Sequence, residues 1–198
     1  MFCLTIDNAK GANSVSITQG NRRTCIKSNV RLTCYQWISG KSMIGNELSR
    51  RGHTVVHLTS TVGPYVIGED EERDAQIIDT DRWAREFVPV DGFVEGHIAH
   101  LLPCDRIVVL RCRPDELRKR LAQRKYREKK IRENADAEAI DVCLIETVEA
   151  FEPSQILEID TTGHDAAYGA GCIESFFRGE MPADFGHIDW SGYLEAIS

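Results

Sequence analysis

Ser39-Gly40-Lys41-Ser42 opens the run Met43-Ile44-Gly45-Asn46-Glu47-Leu48-Ser49-Arg50-Arg51-Gly52, which reads as a helix closed by a glycine. Gly-Lys-Ser at the start of a helix is the second half of a P-loop. The glycine lets backbone N–H groups close on a phosphate, the lysine reaches the outer phosphates, and the hydroxyl holds Mg²⁺. The helix behind it brings the positive end of its dipole to the same anion. Thr54-Val55-Val56-His57-Leu58 then reads as a strand, so the segment predicts a phosphate-binding βαβ unit.

The loop is incomplete. The pattern G-x-x-x-x-G-K-[ST] asks for a glycine five residues before Gly40, where Tyr35 stands, and Tyr35-Gln36-Trp37-Ile38-Ser39 contains none. The alternative is an ordinary helix start with Ser39 as its N-cap. The rest of the chain has to decide.

At 198 residues the chain is long enough for one domain with a full core. A hydrophobic content of 42% and a charged content of 28% are those of a soluble globular protein. No apolar run reaches membrane-spanning length and no apolar signal region opens the chain, so a cytoplasmic location is expected. The seven cysteines form neither a C-x-x-C pair nor a zinc-spaced cluster, and are expected to be free thiols. Residues 1–40 hold five Lys/Arg against one Asp, so the net charge of −7 is concentrated in the remainder, which argues against nucleic-acid binding by the whole surface. One block reverses the sign: Arg111 to Arg132 holds eleven Lys/Arg against Asp115, Glu116 and Glu128. Such an island suits a polyphosphate or RNA; a solvated helical face is the other reading.

Residues 1–30 are Ser/Thr/Asn-rich and aperiodic, and are expected to form a poorly ordered extension. A weak first strand is expected around Asn29–Cys34. After Leu58 come the acidic run Glu69–Asp74 and an apolar stretch, Ala75–Asp79, within a loop-rich insertion, then a helix from Asp79 to Phe87. Gly92–His97 reads as a short buried strand whose end carries Glu95 and His97, and in a parallel sheet that end faces the ligand crevice. Position alone leaves His97 open between chemistry and a hydrogen-bonded structural role. Arg106–Cys112 is a β-branched strand, Pro114 starts a helix to about Gln123, and a long helix is expected over 128–150, with Ile131, Ala135, Ala139, Val142, Ile145 and Val148 at helical spacing. Ile156–Gly163 gives a last strand and turn, and Asp165–Phe177 a helix interrupted at Gly169 and Gly171. The alternation predicts an α/β three-layer architecture with a five-stranded parallel sheet, carried by residues 31–180 and followed by a tail over 181–198.

The pieces occur in a particular order: Gly40-Lys41-Ser42; Gly52-His53-Thr54-Val55-Val56-His57-Leu58; Asp70-Glu71-Glu72-Arg73-Asp74; Val94-Glu95-Gly96-His97 with His100-Leu101-Leu102-Pro103; and Val108-Val109-Leu110-Arg111-Cys112-Arg113-Pro114. Leu117-Arg118-Lys119-Arg120-Leu121, Arg124-Lys125-Tyr126, Lys129–Asn134 and Glu138–Val142 complete it. From residue 40 to 163 this resembles the nucleoside monophosphate (NMP) kinases. More closely, it resembles the adenylate kinase isoenzyme 6 family, archaeal and eukaryotic kinase/ATPases linked to small ribosomal subunit maturation. The resemblance implies a P-loop NTPase fold, ATP and Mg²⁺ as cofactors, AMP or another NMP as acceptor, and a small ribosomal subunit precursor or one of its proteins as partner. It implies that Gly40, Lys41, Ser42 and Met43 hold the ATP phosphates, with Ser42 on the metal. Residues 58–81 then correspond to the NMP-binding lobe and 123–133 to a lid whose Arg124 contacts ATP. Glu95 and His97 correspond to the Walker B-type strand end near metal and attacking water. Lys41, Glu95, His97 and Arg124 are the catalytic candidates this gives, for a broad-specificity ATP-plus-AMP kinase with ATPase activity.

The departure lies at residues 35–39, where the family shows Gly-Thr-Pro-Gly-Thr. Ile38 occupies a loop-glycine position, at a strain on the order of 1–2 kcal/mol. Together with the charge switch and the aperiodic leader, this raises the expectation that residues 1–39 are a false start or a wrong reading frame, to be checked in the other two frames. Two further readings stay open. One is a catalytically impaired P-loop protein acting as a ribosome-assembly binding module, and the other is a P-loop kinase for some other small metabolite.

Overall fold

Leu32–Gln36 (β3) is the middle strand of a five-stranded parallel sheet in the computed structural model, which describes residues 3–4, 15–16, 32–36, 41–70, 75–124 and 126–193. Two short strands precede it, Cys3–Leu4 (β1) and Val15–Ser16 (β2), paired antiparallel; the rest of the expected extension lies outside the described residues. The helix Lys41–Arg50 (α1) leads from β3 to Val55–His57 (β4). Gly92–Glu95 (β7) inserts between β4 and β3, Arg106–Arg111 (β8) lies on the other side of β3, and Ile156–Asp160 (β9) forms the far edge, giving the order β4-β7-β3-β8-β9. The chain leaves β3 toward one edge and later leaves β8 toward the other. Right-handed crossovers therefore put the intervening helices on opposite faces. This is the expected three-layer arrangement, a P-loop NTPase fold.

The central strands are covered on both faces, so their sequences are continuously apolar: Ile107, Val108, Val109 and Leu110 are buried, as are all four residues of β7. The first strand runs to Gln36, two residues beyond the expected Cys34. Tyr35 pairs with Glu95 and Val108, and Gln36 with Val109, so the central position in the ladder overrides a weak local signal. Trp37, Ile38, Ser39 and Gly40 lie outside the described residues.

Between β4 and β7 the expected loop-rich insertion contains two 3₁₀ turns, Leu58–Ser60 and Gly63–Tyr65, and an antiparallel pair, Val66–Asp70 (β5) with Ala75–Ile78 (β6). The helix Thr80–Glu86 (α2) follows, N-capped by Asp79, and its Trp83 indole N–H donates to Thr61 Oγ1 at 2.9 Å. Val62, Ile78 and Trp83 are buried, so this insertion contributes to the core.

Pro114–Gln123 (α3) stands where Pro114 placed it, with Asp115 and Glu116 in its first turn. The expected single helix over 128–150 is two, Glu128–Ala139 (α4) and Val142–Ala150 (α5). They are separated at Asp141, whose φ of 58° is the only positive value among the described non-glycine residues. The turn delivers the Asp141 carboxylate to Arg111, an ion pair that helical periodicity cannot register. Because the phase resets there, Ile145 and Val148 are exposed and Cys143, Leu144 and Thr147 are buried, against the expected spacing.

Ala166–Arg178 (α6) is continuous, without the expected interruption. Gly169 has a packing reason: a Cβ there would come within 2.7 Å of Ile44 Cδ1, so its absence lets α6 close on α1. Asp184 then pairs with β9, accepting from Glu158 N–H at 2.7 Å and donating to Ile156 carbonyl at 3.1 Å, which covers the sheet edge. Cys112, Cys143 and Cys172 are free as expected, whereas Cys104 is disulfide-bonded.

Candidate functional site

Because all five sheet strands run parallel, their carboxyl ends share one edge, and the switch in chain direction around β3 makes that edge the crevice of the fold. β3 ends there at Gln36, and five residues later α1 begins with Lys41, Ser42 and Met43. Ser42 and Met43 are exposed, and no acidic residue occupies the first turn of α1, so the turn itself leaves the positive end of the helix uncompensated. Ile44 and Leu48, one turn apart, are buried and anchor the helix on the sheet and α6. Gly40 lies outside the described residues.

β7 supplies the second element. Its last residue, Glu95, pairs with Tyr35 on one side and His57 on the other and is only 4% exposed. A buried carboxylate is costly unless hydrogen-bonded. His57 Nδ1 lies 2.5 Å from Glu95 Oε1, and since an ionised carboxylate can only accept, Nδ1–H is the donor. In the sequence alone His57 stands only as a residue of the second strand. Its role is set by register between β4 and β7, 38 residues apart in the chain, and no local signal reports that register.

His97 and His100 follow on the turn after β7, both buried. His100 Nε2 lies 3.8 Å from Glu146 Oε2 on α5. Burial and the neighbouring Glu149 push the Glu146 carboxyl up to about 7. The structure thus brings Glu95, His57 and the start of α1 to the same edge of the sheet, with His97 two residues beyond Glu95.

Arg124 stands apart from them as the C-cap of α3, exposed, its guanidinium without an ion pair among the described residues. The rest of the basic block is more neutral than its composition. Arg111 is buried among Glu138, Asp141 and Glu158; Arg113 pairs with Asp115, Arg118 with Glu128, Arg120 with Glu116, Lys129 with Glu133 and Arg132 with Asp136. The positive island holds only within residues 111–132, because most of the compensating carboxylates, Glu133, Asp136, Glu138, Asp141 and Glu158, lie beyond them in the chain. Arg124 and Arg127 are the described arginines of the block left outside ion pairs.

The donor set fits Mg²⁺ bound with a polyphosphate. No group of three or more metal-ligating side chains occurs among the described residues. Mg²⁺ does not need one, because it keeps several waters and takes one or two protein oxygens besides the phosphates. Ser42 at the start of α1 and the buried Glu95 carboxylate supply oxygens of that kind.

Residues 38–141 match the model of a family described as AAA domain. The chain is 38% identical over 164 residues to a protein of Archaeoglobus fulgidus named "Putative adenylate kinase", an alignment covering 79% of this chain and 89% of that one. Proteins of the same name from Natronomonas pharaonis and Methanothermobacter thermautotrophicus are 38% and 36% identical, over 71% and 78% of this chain and 85% and 93% of theirs. The matched stretch begins at Ile38, next to the Gly-Lys-Ser turn, and takes in α1, the strand ending at Glu95, and α3 and α4. The chain therefore belongs to the AAA-domain family of P-loop nucleotide kinases that includes these archaeal proteins.

Proposed function

We propose that the protein is a broad-specificity nucleoside monophosphate kinase that transfers the γ-phosphoryl group of ATP to AMP, giving two ADP, accepts other nucleoside monophosphates as well, and hydrolyses ATP when no acceptor is bound. One observation carries this reading: a Gly-Lys-Ser helix start follows the central strand of a parallel sheet, and a buried carboxylate, Glu95, ends the adjacent strand. Phosphoryl transfer spreads negative charge over the transferring oxygens, so catalysis rests on positioning and cationic stabilisation. Lys41 and the N-terminal amides of α1 hold the β- and γ-phosphates. Ser42 and Glu95 would hold Mg²⁺, which when bound would neutralise phosphate charge. Glu95, with His97 beyond it, orients the attacking oxygen. Arg124 closes over the phosphates from residues 123–133, excluding water so that AMP competes with hydrolysis. Residues 58–81 receive the acceptor nucleotide.

The test compares the chain as it stands with a version carrying Gly-Thr-Pro-Gly-Thr at 35–39, measuring ADP formed from ATP and AMP. Activity in both supports the reading and shows that the loop tolerates its unusual residues. Activity in the restored version alone makes this chain a nucleotide-kinase fold with a binding role, and activity in neither overturns the reading. The resemblance to the isoenzyme 6 family supports, in addition, a role on a small ribosomal subunit precursor late in rRNA maturation. Accumulation of unprocessed small-subunit rRNA on depletion, rescued by the wild-type chain, is the expected result.

A further inference from the structure

The two last residues of neighbouring strands, His57 on β4 and Glu95 on β7, are direct partners in the parallel ladder. In-register partners in a parallel pair present their side chains to the same face, and adjacent strands lie about 4.8 Å apart. That spacing lets the short imidazole meet the carboxylate head-on, Nδ1 to Oε1 at 2.5 Å. Glu95 is almost wholly buried, whereas the His57 side chain is 38% exposed. The histidine thus reaches in from the open edge of the sheet to bind one oxygen of a carboxylate that water reaches poorly. A charge-assisted hydrogen bond of this kind restricts the rotation of the carboxylate plane and so bears on how Glu95 is presented at the strand end.

We infer that His57 is a positioning residue for phosphoryl transfer: its Nδ1–H sets the orientation of the Glu95 carboxylate, so that it governs turnover and not nucleotide affinity. This rests on the kinase reading above. The phosphates are assigned above to the start of α1, and the described side-chain contact of His57 is to Glu95, so removing the imidazole is expected to leave ATP affinity in place. The atom that matters is Nδ1, three bonds from Cα. Asparagine carries an amide N–H₂ at the same remove, whereas the glutamine amide is one bond longer.

The experiment measures kcat and the ATP KM of the full chain at saturating AMP for His57→Ala, His57→Asn and His57→Gln. It is paired with ¹H–¹⁵N spectra of the imidazoles in the wild type and in Glu95→Gln. His57→Ala is expected to lower kcat by about ten- to a hundredfold, as loss of a group that orients a functional carboxylate does, with the ATP KM within about twofold. His57→Asn is expected to return to within about threefold of wild type, and His57→Gln to stay near the alanine variant. The spectra should show His57 as the Nδ1–H tautomer, with a signal that moves in Glu95→Gln. Wild-type kcat in His57→Ala, a loss carried by KM alone, or an asparagine variant no better than alanine overturns the proposal. If the wild-type chain makes no ADP, the kinase reading fails and takes the turnover role with it. A His57 signal that still responds to Glu95→Gln then identifies the function, and not the contact, as the error.

Discussion

Arg111 Nε donates to Glu138 Oε1 at 2.6 Å, and neither side chain is more than 2% exposed. The same guanidinium also meets Asp141 and Glu158, and its Nη2 donates to the Glu138 carbonyl at 3.0 Å. Burial works against the cation, but the carboxylates outweigh it and keep it protonated. One side chain on β8 thereby ties together the end of α4, the turn at Asp141 and the edge strand β9. Arg111→Met leaves buried carboxylates without their counter-charge and is expected to cost about 3–5 kcal/mol in urea unfolding. Adding Glu158→Gln in that background should recover about 1 kcal/mol, because one uncompensated charge is removed. No loss in the single variant would show that the network carries no stability.

Gly92 opens β7 with φ of 154°, and a Cβ there would lie 2.4 Å from the Thr54 carbonyl oxygen. That carbonyl accepts from Phe93 N–H at 2.9 Å, the first bond of the β4–β7 ladder. Both the backbone conformation and the close approach exclude a side chain. Gly92→Ala is expected to destabilise the fold by about 2–4 kcal/mol. It should also lower activity, since β7 carries Glu95. Thermal unfolding followed by circular dichroism reads the first effect, and a variant melting with wild type contradicts it.

Glu146 supplies a pH dependence. Its carboxyl is raised from the ordinary value of 4.5 to about 7, first by burial and then by Glu149. A group whose pKa is higher in the folded state stabilises fully below its unfolded pKa and loses that contribution as pH rises through the folded one. Stability should therefore fall between pH 4.5 and 7, by an amount on the order of 3 kcal/mol. Glu146→Gln removes the titrating group while keeping the shape, so its unfolding free energy should be flatter across this window and higher than wild type at pH 8. Parallel curves for the two proteins would sink the assignment.

Much of the fold was legible because its signals are local. β8 reads as a strand because both its faces are covered and its central residues, Ile107 to Leu110, are apolar and mostly β-branched, and α3 starts at Pro114 because proline suits a first helical turn. The features the sequence hid depend on partners distant in the chain. Asp141 breaks a helix whose apolar spacing continues through it, because Arg111 lies 30 residues away in sequence. Tyr35 and Gln36 look like loop, yet join the ladder because β7 and β8 flank them. At the candidate site the order of motifs singled out Glu95 and His97 as candidates, while the His57 contact required the β4–β7 register. Likewise, the basic block looked like one positive surface until its distant acids, Glu138, Asp141 and Glu158, came into contact with Arg111.

Arg120 is held by the fold, whereas Arg124, proposed above to contact ATP, makes no ion pair among the described residues. Arg120 Nε donates to Glu116 Oε1 at 3.2 Å and its Nη2 to the Thr161 carbonyl at 3.2 Å, joining α3 to the end of β9. Arg124, one turn further along, is exposed at the end of α3 and has no acidic partner among the described residues. A cation kept free at the start of residues 123–133 suits a ligand that brings its own negative charge. Arg124→Ala is expected to leave unfolding within about 0.5 kcal/mol of wild type, because its exposed side chain makes no ion pair among the described residues. Its kcat should fall by about a hundredfold, the scale for losing one preorganised donor to transition-state charge. Arg120→Ala should show the converse, about 1 kcal/mol of lost stability with kcat changed by less than about threefold. Steady-state ADP formation alongside urea unfolding for the two variants reads both. If Arg124→Ala loses stability and keeps its kcat, the residue belongs to the scaffold and the phosphates are neutralised from elsewhere.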